Sequence, residues 1–476
     1  MDWFCILMDV EPKAEEAKTL GPGAGKRAAL KRDWTQGSIT HNLLTLAWPV
    51  VISNSLNMLG PTIDMVWVGK LGASSMAAVG LSAQVVTVAN ALMMGLFTSL
   101  RALVARRVGA GDEAGANRAF QQAFIIGVTF SMVMAIIGEF LSPQILGLFG
   151  AQPDVLSLAI MYNRIQFVGM ITMTMRMMSE ATLQASGDTS IAMRIGIFFR
   201  LLHMVLCPFW VFGWWIFPSL GVRGAAFMDI IAQGIGGGLG LWVLLSGHSR
   251  LHINFKGFRF DAQNIWLQLK IGVPSSINQT LRSFVGLFII RFIVPFGTLA
   301  VAAHSLGQRI ETFLDVGASA FGNAAGVLAG QNLGARKPER AQKTGWIAVG
   351  FATAVMFVIG MYMLIFPGVV VRIFNSDPEL EKIAGTFLQI AVVSFLAMGP
   401  ASVLTSCLNG VGDTMIPLLA SFGTMWCVQL PLAWYLPKVG GLGVYGVRWS
   451  MAIALSLRAI IYLVYFKMGR WKRRKL

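Results

Sequence analysis

Charged side chains are scarce in this chain: Asp, Glu, Lys and Arg together make up 13% of 476 residues, about half the ~25% usual in soluble domains. With 55% hydrophobic residues and a mean hydropathy of +0.65, that scarcity excludes a water-soluble fold. Cysteine is scarce too. Cys5, Cys207, Cys407 and Cys427 lie in the N-terminal tail or in apolar runs, without metal-ligand spacing or a paired extracellular framework, so they read as packing residues. No G-x-x-x-x-G-K-[ST] loop is present, which disfavours ATP drive within the chain. H-E-x-x-H, G-x-S-x-G and aspartate-rich diphosphate motifs are also missing, so an intramembrane enzyme is disfavoured and no cofactor is expected beyond a coupling cation. Residues 1–10 are broken by Asp2 and Asp9 and lack a basic leader and a small-residue cleavage site; they do not read as a signal peptide.

Apolar runs of about 20 residues, enough to cross a bilayer, recur from residue 40 onward. About twelve spans are expected, at 42–66, 76–100, 119–141, 156–180, 191–213, 217–246, 268–293, 299–330, 345–366, 382–408, 415–437 and 441–466. The runs are continuous and not alternating, which argues for helices over a barrel. The expected fold is an all-α membrane protein. Its parts are a flexible cytoplasmic lead (1–41), two six-helix bundles (42–246 and 268–466) joined by a cytoplasmic linker (247–267), and a basic cytoplasmic tail (467–476).

The net charge of +16 would suit nucleic acid if it formed one patch, but it is distributed by loop. Lys13, Lys18, Lys26, Arg27, Lys31 and Arg32 precede the first span, and Lys467, Arg470, Lys472, Arg473, Arg474 and Lys475 follow the last. Connections after spans 2, 6 and 8 are basic, whereas the opposite loops hold few basic residues, namely Lys70, Arg223, Arg372, Lys382, Lys438 and Arg448. This asymmetry is the positive-inside pattern. It puts both termini in the cytoplasm, makes the lipid bilayer the partner, and argues against nucleic acid. The basic tails carry the topology signal, with contact to anionic lipid as the alternative.

An internal repeat organises the chain. Pro49 and Pro274 stand about 225 residues apart, and the same offset joins Gly72 to Gly297, Gly109-Ala110 to Gly334-Ala335, and Gly187-Asp188-Thr189 to Gly412-Asp413-Thr414. Six spans per repeat, an even number, give both halves the same orientation: parallel repeats, an architecture suited to alternating access.

Leu46-Ala47-Trp48-Pro49, Asp64, Val68-Gly69-Lys70-Leu71-Gly72, Gly330-Gln331-Asn332-Leu333-Gly334-Ala335 and the two Gly-Asp-Thr turns carry a resemblance. Over about residues 40–466 the chain resembles the multidrug and toxic compound extrusion family, and within it the bacterial branch with a single coupling aspartate on the first helix. The resemblance implies a V-shaped twelve-helix antiporter in the inner (plasma) membrane of the cell. It also implies a monomer that exports small amphipathic organic compounds against H⁺ or Na⁺.

Asp64 corresponds to the family's coupling aspartate, and Pro49 to the proline that lets its helix bend; Pro274 is its counterpart in the second repeat. The family's companion residues are replaced. His203 and Cys207 stand where an archaeal-type member has Asn and Asp, and Arg282 and Met398 where another bacterial branch has Glu and Asp. No multi-oxygen Na⁺ cage is therefore visible, and His203 titrates in the physiological range, so H⁺ is favoured while Na⁺ stays open. An intramembrane carboxylate is a functional candidate by default; the alternative for Asp64 is an interfacial acid.

Glu311 and Asp315 share a helix face, with Arg309 nearby. They form either a second ion-coupling or substrate site or a buried ion-pair network locking the C-terminal bundle. Asp229 balances Arg200 or Arg282. Arg282, Asp229, Asn278 and Met398 are the candidate substrate-binding residues, and an unpaired Arg282 would disfavour organic cations. Arg164, Arg291 and Arg458 read as structural pairs or snorkelling ends, and His304 as a packed, hydrogen-bonded histidine. Five methionines between Met170 and Met178 read as filler or as a polyspecific surface. In the Gly-Asp-Thr turns Gly reverses the chain and Asp or Thr caps the next helix. The glycines of span 6 allow close helix packing. Two other classes remain open: a flippase for a lipid-linked anionic saccharide, and a non-transporting receptor or scaffold.

The topology is directly testable. With the loop at 142–155 outside, cysteine introduced by Gln152→Cys labels with a membrane-impermeant reagent in intact cells; protection there reverses the orientation.

Overall fold

The computed structural model describes residues 33–148, 152–374 and 377–474. Among these residues every regular element is helical. Lipid offers the backbone no partners, so each spanning segment satisfies its own N–H and C=O groups. The helices are α1 (Ile39–Gly69), α2 (Ala73–Gly109), α3 (Glu113–Gly147), α4 (Pro153–Val168), α5 (Met170–Ser186), α6 (Thr189–Phe212), α7 (Val222–Leu245), α8 (Ala262–Ile293), α9 (Thr298–Gly334), α10 (Pro338–Ile365), α11 (Pro367–Arg372), α12 (Pro378–Gly410), α13 (Met415–Phe422), α14 (Leu430–Lys438) and α15 (Val444–Met468).

Ten helical stretches among the described residues are long and apolar enough to cross a bilayer, or eleven with the bent pair α4–α5. α9 is 37 residues long but carries His304, Arg309, Glu311 and Asp315, which lower its hydropathy. Two expected spans differ in form. The fourth is broken at Gly169, where α4 and α5 meet at 46°. The eleventh is continuous only through a π-helical stretch, Gly423–Gln429, joining α13 to α14. Most helices also outrun their apolar stretches: α2 continues past residue 100 through Arg101, Arg106 and Arg107 to Gly109. Hydropathy marks where lipid ends, whereas the helix continues while its backbone bonds remain favourable. Beyond lipid, Asp112 caps α3 by accepting from the Gly115 N–H at 2.8 Å and from Arg107 at 2.7 Å. Those donors hold its carboxyl below the ordinary carboxylate value.

The chain divides into two compact units. The first comprises Trp48–Gln268 with the described residues up to Ser38; the second comprises Ile39–Ala47 and Leu269–Leu476.

In the first unit α5 lies against the glycine face of α7. A Cβ at Gly237 would stand 2.9 Å from the Arg176 backbone nitrogen, and one at Gly240 would stand 2.6 Å from the Ser179 Cβ. The methionine run on α5 is core material at its two ends, with Met170 2% and Met178 1% exposed. Gly187 reverses the chain at φ +96°, as expected, but Asp188 does not cap α6. Its carboxylate instead accepts from the Arg250 backbone N–H at 2.8 Å and faces the Arg250 guanidinium at 3.4 Å. The Arg250 guanidinium in turn lies over the Trp34 ring.

The second unit repeats the device. Gly412 turns at φ +83°, and Asp413 accepts from Tyr465 Oη at 2.6 Å and faces Arg474 at 3.8 Å. Thr414 donates to the Ile271 carbonyl at 2.7 Å and does not cap α13. The capping expectation fails in both turns because a basic residue beyond the sixth span of each repeat supplies a stronger, charged partner. Arg250 and Arg474 keep the repeat offset to within one residue.

α9 and α12 cross closely enough in the second unit that a Cβ at Gly410 would collide with the Gly326 carbonyl. Overpacking of this kind costs about 1–3 kcal/mol. Gly410→Ala is expected to lower the thermal midpoint of the purified protein, and Gly350→Ala, where a Cβ meets nothing within 4 Å, to leave it unchanged. Equal midpoints would show that α9 and α12 are free to separate.

Candidate functional site

Four helices of the first unit each place two or three polar groups about one turn apart on one face. α4 carries Tyr162 and Gln166, α5 Arg176 and Glu180, α6 Arg200, His203 and Cys207, and α7 Asp229 and Gln233. α1 adds Asp64, which is 5% exposed.

His203, fully buried, brings its Nε2 to 3.1 Å from Asp64 Oδ1. The contact lies off the direction of the ring N–H, so Nε2 has no formed hydrogen bond. Tyr162 donates to the other carboxylate oxygen at 3.4 Å, and Cys207 Sγ lies 3.9 Å from Oδ1. Gln166 then links two acids. Its amide nitrogen donates to Tyr162 Oη at 3.1 Å and to Asp229 Oδ2 at 3.5 Å. Gln233 also donates to Asp229, at 3.0 Å, and accepts from Arg176 Nε at 3.3 Å. Arg176 pairs with Glu180 at 2.8 Å, and Gln184 donates to Glu180 at 3.1 Å. The result is a polar chain within one bundle, running from Asp64 on α1 to Glu180 on α5. Burial is complete around Asp64 and partial along the rest of the chain, and it makes the contacts stronger and a missing partner costlier where water is excluded.

Sequence reasoning singled out Asp64, His203 and Asp229, and the structure brings all three together. It missed Tyr162, Gln166, Gln233, Arg176 and Glu180. The signal was present as polar residues four apart inside otherwise apolar runs. Cys207 is packed, as expected, yet its sulfur shares a neighbourhood with Asp64 and His203 in which the ligand atoms all lie within 4.8 Å of one another. Linear spacing could not reveal that, because Asp64 comes from another helix. The donor set is one carboxylate, one imidazole and one thiol, with the Tyr162 phenol nearby; it is not an oxygen cage.

Glu311, Asp315, Arg282, Asn278 and Met398 belong to the second unit. Glu311 pairs with Arg448 at 2.8 Å. The sequence places Arg448 among the loop residues that set topology. It is instead 3% exposed inside α15, stacked over the Phe387 ring and donating to the His304 carbonyl. A span boundary drawn from hydropathy treats an arginine near a helix end as interfacial, whereas Gly307 leaves room for this guanidinium in the packed interior. His304 is buried as expected, but neither ring nitrogen has a hydrogen-bond partner.

Asp315 and Arg282 lie within electrostatic reach of Arg458. Arg282 is exposed, Asn278 is buried with an unpartnered Oδ1, and Met398 packs on the core around Phe387 and Met356. Arg164 pairs with Glu139 at 3.5 Å, the structural role expected of it. Both prolines are accommodated within helices, Pro49 in α1 and Pro274 in α8.

A model of the MatE family matches the chain twice, over residues 49–209 and 274–435. The two matches begin 225 residues apart, the offset of the repeat. Among relatives, the probable multidrug resistance protein YoeA of Bacillus subtilis is 24% identical over 92% of this chain and 96% of its own length. The probable multidrug resistance protein NorM of Thermotoga maritima is 25% identical over 92% of this chain and 94% of its own. A crystal structure of a MATE protein in a bent conformation shares the fold, with a TM-score of 0.86 at 22% identity, covering 91% of this chain and 96% of that one. The paired family match, spanning more than half of the sequence, shows that this chain belongs to the MatE family: it is a multi-pass membrane transporter, not an enzyme.

Proposed function

We propose that this protein is a secondary-active exporter of small amphipathic organic compounds, working by alternating access and driven by H⁺ antiport through Asp64. One observation carries the ion assignment. Asp64 is buried among an imidazole, a phenol and a thiol, a set able to hand on a proton but short of the several oxygens a hard metal cation requires. The relatives' names, multidrug resistance proteins, support the substrate class. The flippase reading draws no support from them.

An ionised carboxylate inside a membrane protein must be partnered or neutralised. Tyr162 and His203 supply partners while Asp64 is charged; a proton taken up from outside removes that charge and weakens their hold. Asp64 lies on the same helix as Pro49, which cannot donate an N–H to the helix ladder. Loss of those contacts therefore acts on a helix already weakened at that point. The change favours the state that releases substrate, and proton loss to the cytoplasm resets it. Both termini lie in the cytoplasm, and the working unit is a monomer in the plasma membrane. Glu311, through its pair with Arg448, and Asp315, within electrostatic reach of Arg458, serve the second unit, and Arg282, Asn278, Met398 and Asp229 shape substrate preference.

Everted vesicles with independently imposed H⁺ and Na⁺ gradients test the coupling. Dye export is expected to follow the pH jump and to ignore Na⁺. Asp64→Asn keeps size and polarity, so it should leave insertion intact and abolish gradient-driven export, while Asp64→Glu retains part of it. Full export by well-expressed Asp64→Asn would move coupling to Glu311, Asp315 or Asp229.

Arg282→Glu tests substrate charge. A guanidinium stays charged at any accessible pH, so its replacement by an acid is expected to shift preference towards organic cations. An unchanged substrate profile removes Arg282 from the transport path.

A further inference from the structure

Arg200 lies at the centre of the first unit without a role in the scheme above. It is 6% exposed, its guanidinium lies 4.9 Å over the Phe199 ring, and it rests on α1 at Gly60, where any Cβ would collide with it. Its Nη1 is 3.5 Å from His203 Nδ1. A guanidinium carries only N–H donors and keeps its proton. The ring nitrogen facing it therefore presents a lone pair, and the proton of the neutral imidazole sits on Nε2, the atom beside Asp64.

Two consequences follow from that tautomer. A second proton on the ring would set an Nδ1–H against a cation. A metal ion at Asp64, His203 and Cys207, whose ligand atoms are close enough, would need the Nε2 lone pair. The ring proton would then move to Nδ1, which in metal-bound histidines points at an acceptor and here would point at Arg200.

The titratable and charged groups around His203 are Asp64 from α1, Asp229 from α7, and Arg200 and Cys207 from its own helix; Tyr162 from α4 acts on it through Asp64, and Arg176 and Glu180 from α5 through Arg200. The Arg176–Glu180 pair is neutral as a unit, so the two carboxyl groups Asp64 and Asp229 stand against the single guanidinium of Arg200, a shortfall of one positive charge whenever both carry theirs. One proton fills it. Without Arg200 the deficit would be two, which invites a metal cation.

We propose that Arg200 locks His203 in the neutral Nε2–H tautomer and serves as the resident counter-charge of Asp64 and Asp229, so that the site exchanges a proton and rejects metal cations. In its transport meaning the proposal rests on Asp64 as the coupling group; the tautomer itself can be read without transport.

The test uses purified full-length protein in lipid nanodiscs with ¹⁵N-labelled histidine rings, the His203 signals being identified by their loss in His203→Gln. The expected wild-type pattern is an unprotonated Nδ1 and a protonated Nε2, unmoved by added Na⁺ or Co²⁺. Arg200→Lys, still a donor-only cation, should preserve it. Arg200→Met should place a proton on Nδ1, or let the His203 signals shift on addition of Na⁺ or Co²⁺. A protonated wild-type Nδ1, a wild-type signal that titrates with either cation, or an Arg200→Met spectrum identical to wild type overturns the proposal. If Arg200→Met does not fold, the wild-type and Arg200→Lys spectra decide it. Full export by Asp64→Asn with the tautomer pattern intact would refute the coupling reading and leave the lock on His203 standing.

Discussion

An ionisable group inside a membrane protein has no water to fall back on, and the first unit is organised by that constraint at Asp64. Stripping a carboxylate of solvent is unfavourable by several kcal/mol unless protein groups replace the water. Replacement needs donors from more than one helix, so α1, α4 and α6 must approach within hydrogen-bond reach around it. Each donor is itself buried or half-buried and needs a partner, which extends the requirement outward: Tyr162 to Gln166, Gln166 to Asp229, Asp229 to Gln233, Gln233 to Arg176, and Arg176 to Glu180. A change of charge at Asp64 therefore alters the balance along several helices at once. That is the property the coupling role proposed for Asp64 requires.

Close approach of helices is the second requirement, and glycine supplies it where the guanidinium groups lie. Gly60 makes room for Arg200, Gly307 for Arg448, and Gly237 for the backbone of α5 at Arg176. Each arginine is long, buried and offset by an acid or an aromatic face: Arg176 and Arg200 both lie over Phe199, and Arg448 lies over Phe387. A guanidinium stacked on an aromatic ring gives up less on leaving water than an ammonium would, which suits arginine to these places. The small residues and the arginines form one design: removing the Cβ on one helix admits the charge from another.

The two repeats share a scaffold and differ in what it carries. In both, a Gly-Asp-Thr turn folds back and its aspartate is taken by a basic residue beyond the sixth span, Arg250 in one and Arg474 in the other. The deep polar groups are not duplicated. The first unit holds Asp64 among titratable neighbours, and the second holds Glu311 closed by Arg448. A duplicated fold that keeps its turns and changes its interior charges leaves one unit with a neutralisable acid and the other with a neutralised one.

The sequence by itself determined the solvent, the helical class, the repeat and the family. The first three are written in properties that add along the chain, hydropathy summed over about 20 residues and turn residues at a fixed offset, whereas the family is carried by the resemblance of short motifs. It also pointed to Asp64, because a carboxylate in an apolar run is anomalous wherever it comes to lie. What it could not decide was partnership. Whether Asp229 faces Arg200, whether Arg448 is a loop charge or the buried partner of Glu311, whether Asp188 caps a helix or binds Arg250, and whether Cys207 is filler or a neighbour of Asp64 all depend on distances between helices far apart in sequence. The break at Gly169 is not legible in the sequence either, since a helix can bend there without any change in hydropathy. Only the tertiary structure decided these, because hydrogen bonds and ion pairs act over about 3–4 Å, and no periodicity along one helix specifies which face of another will stand opposite.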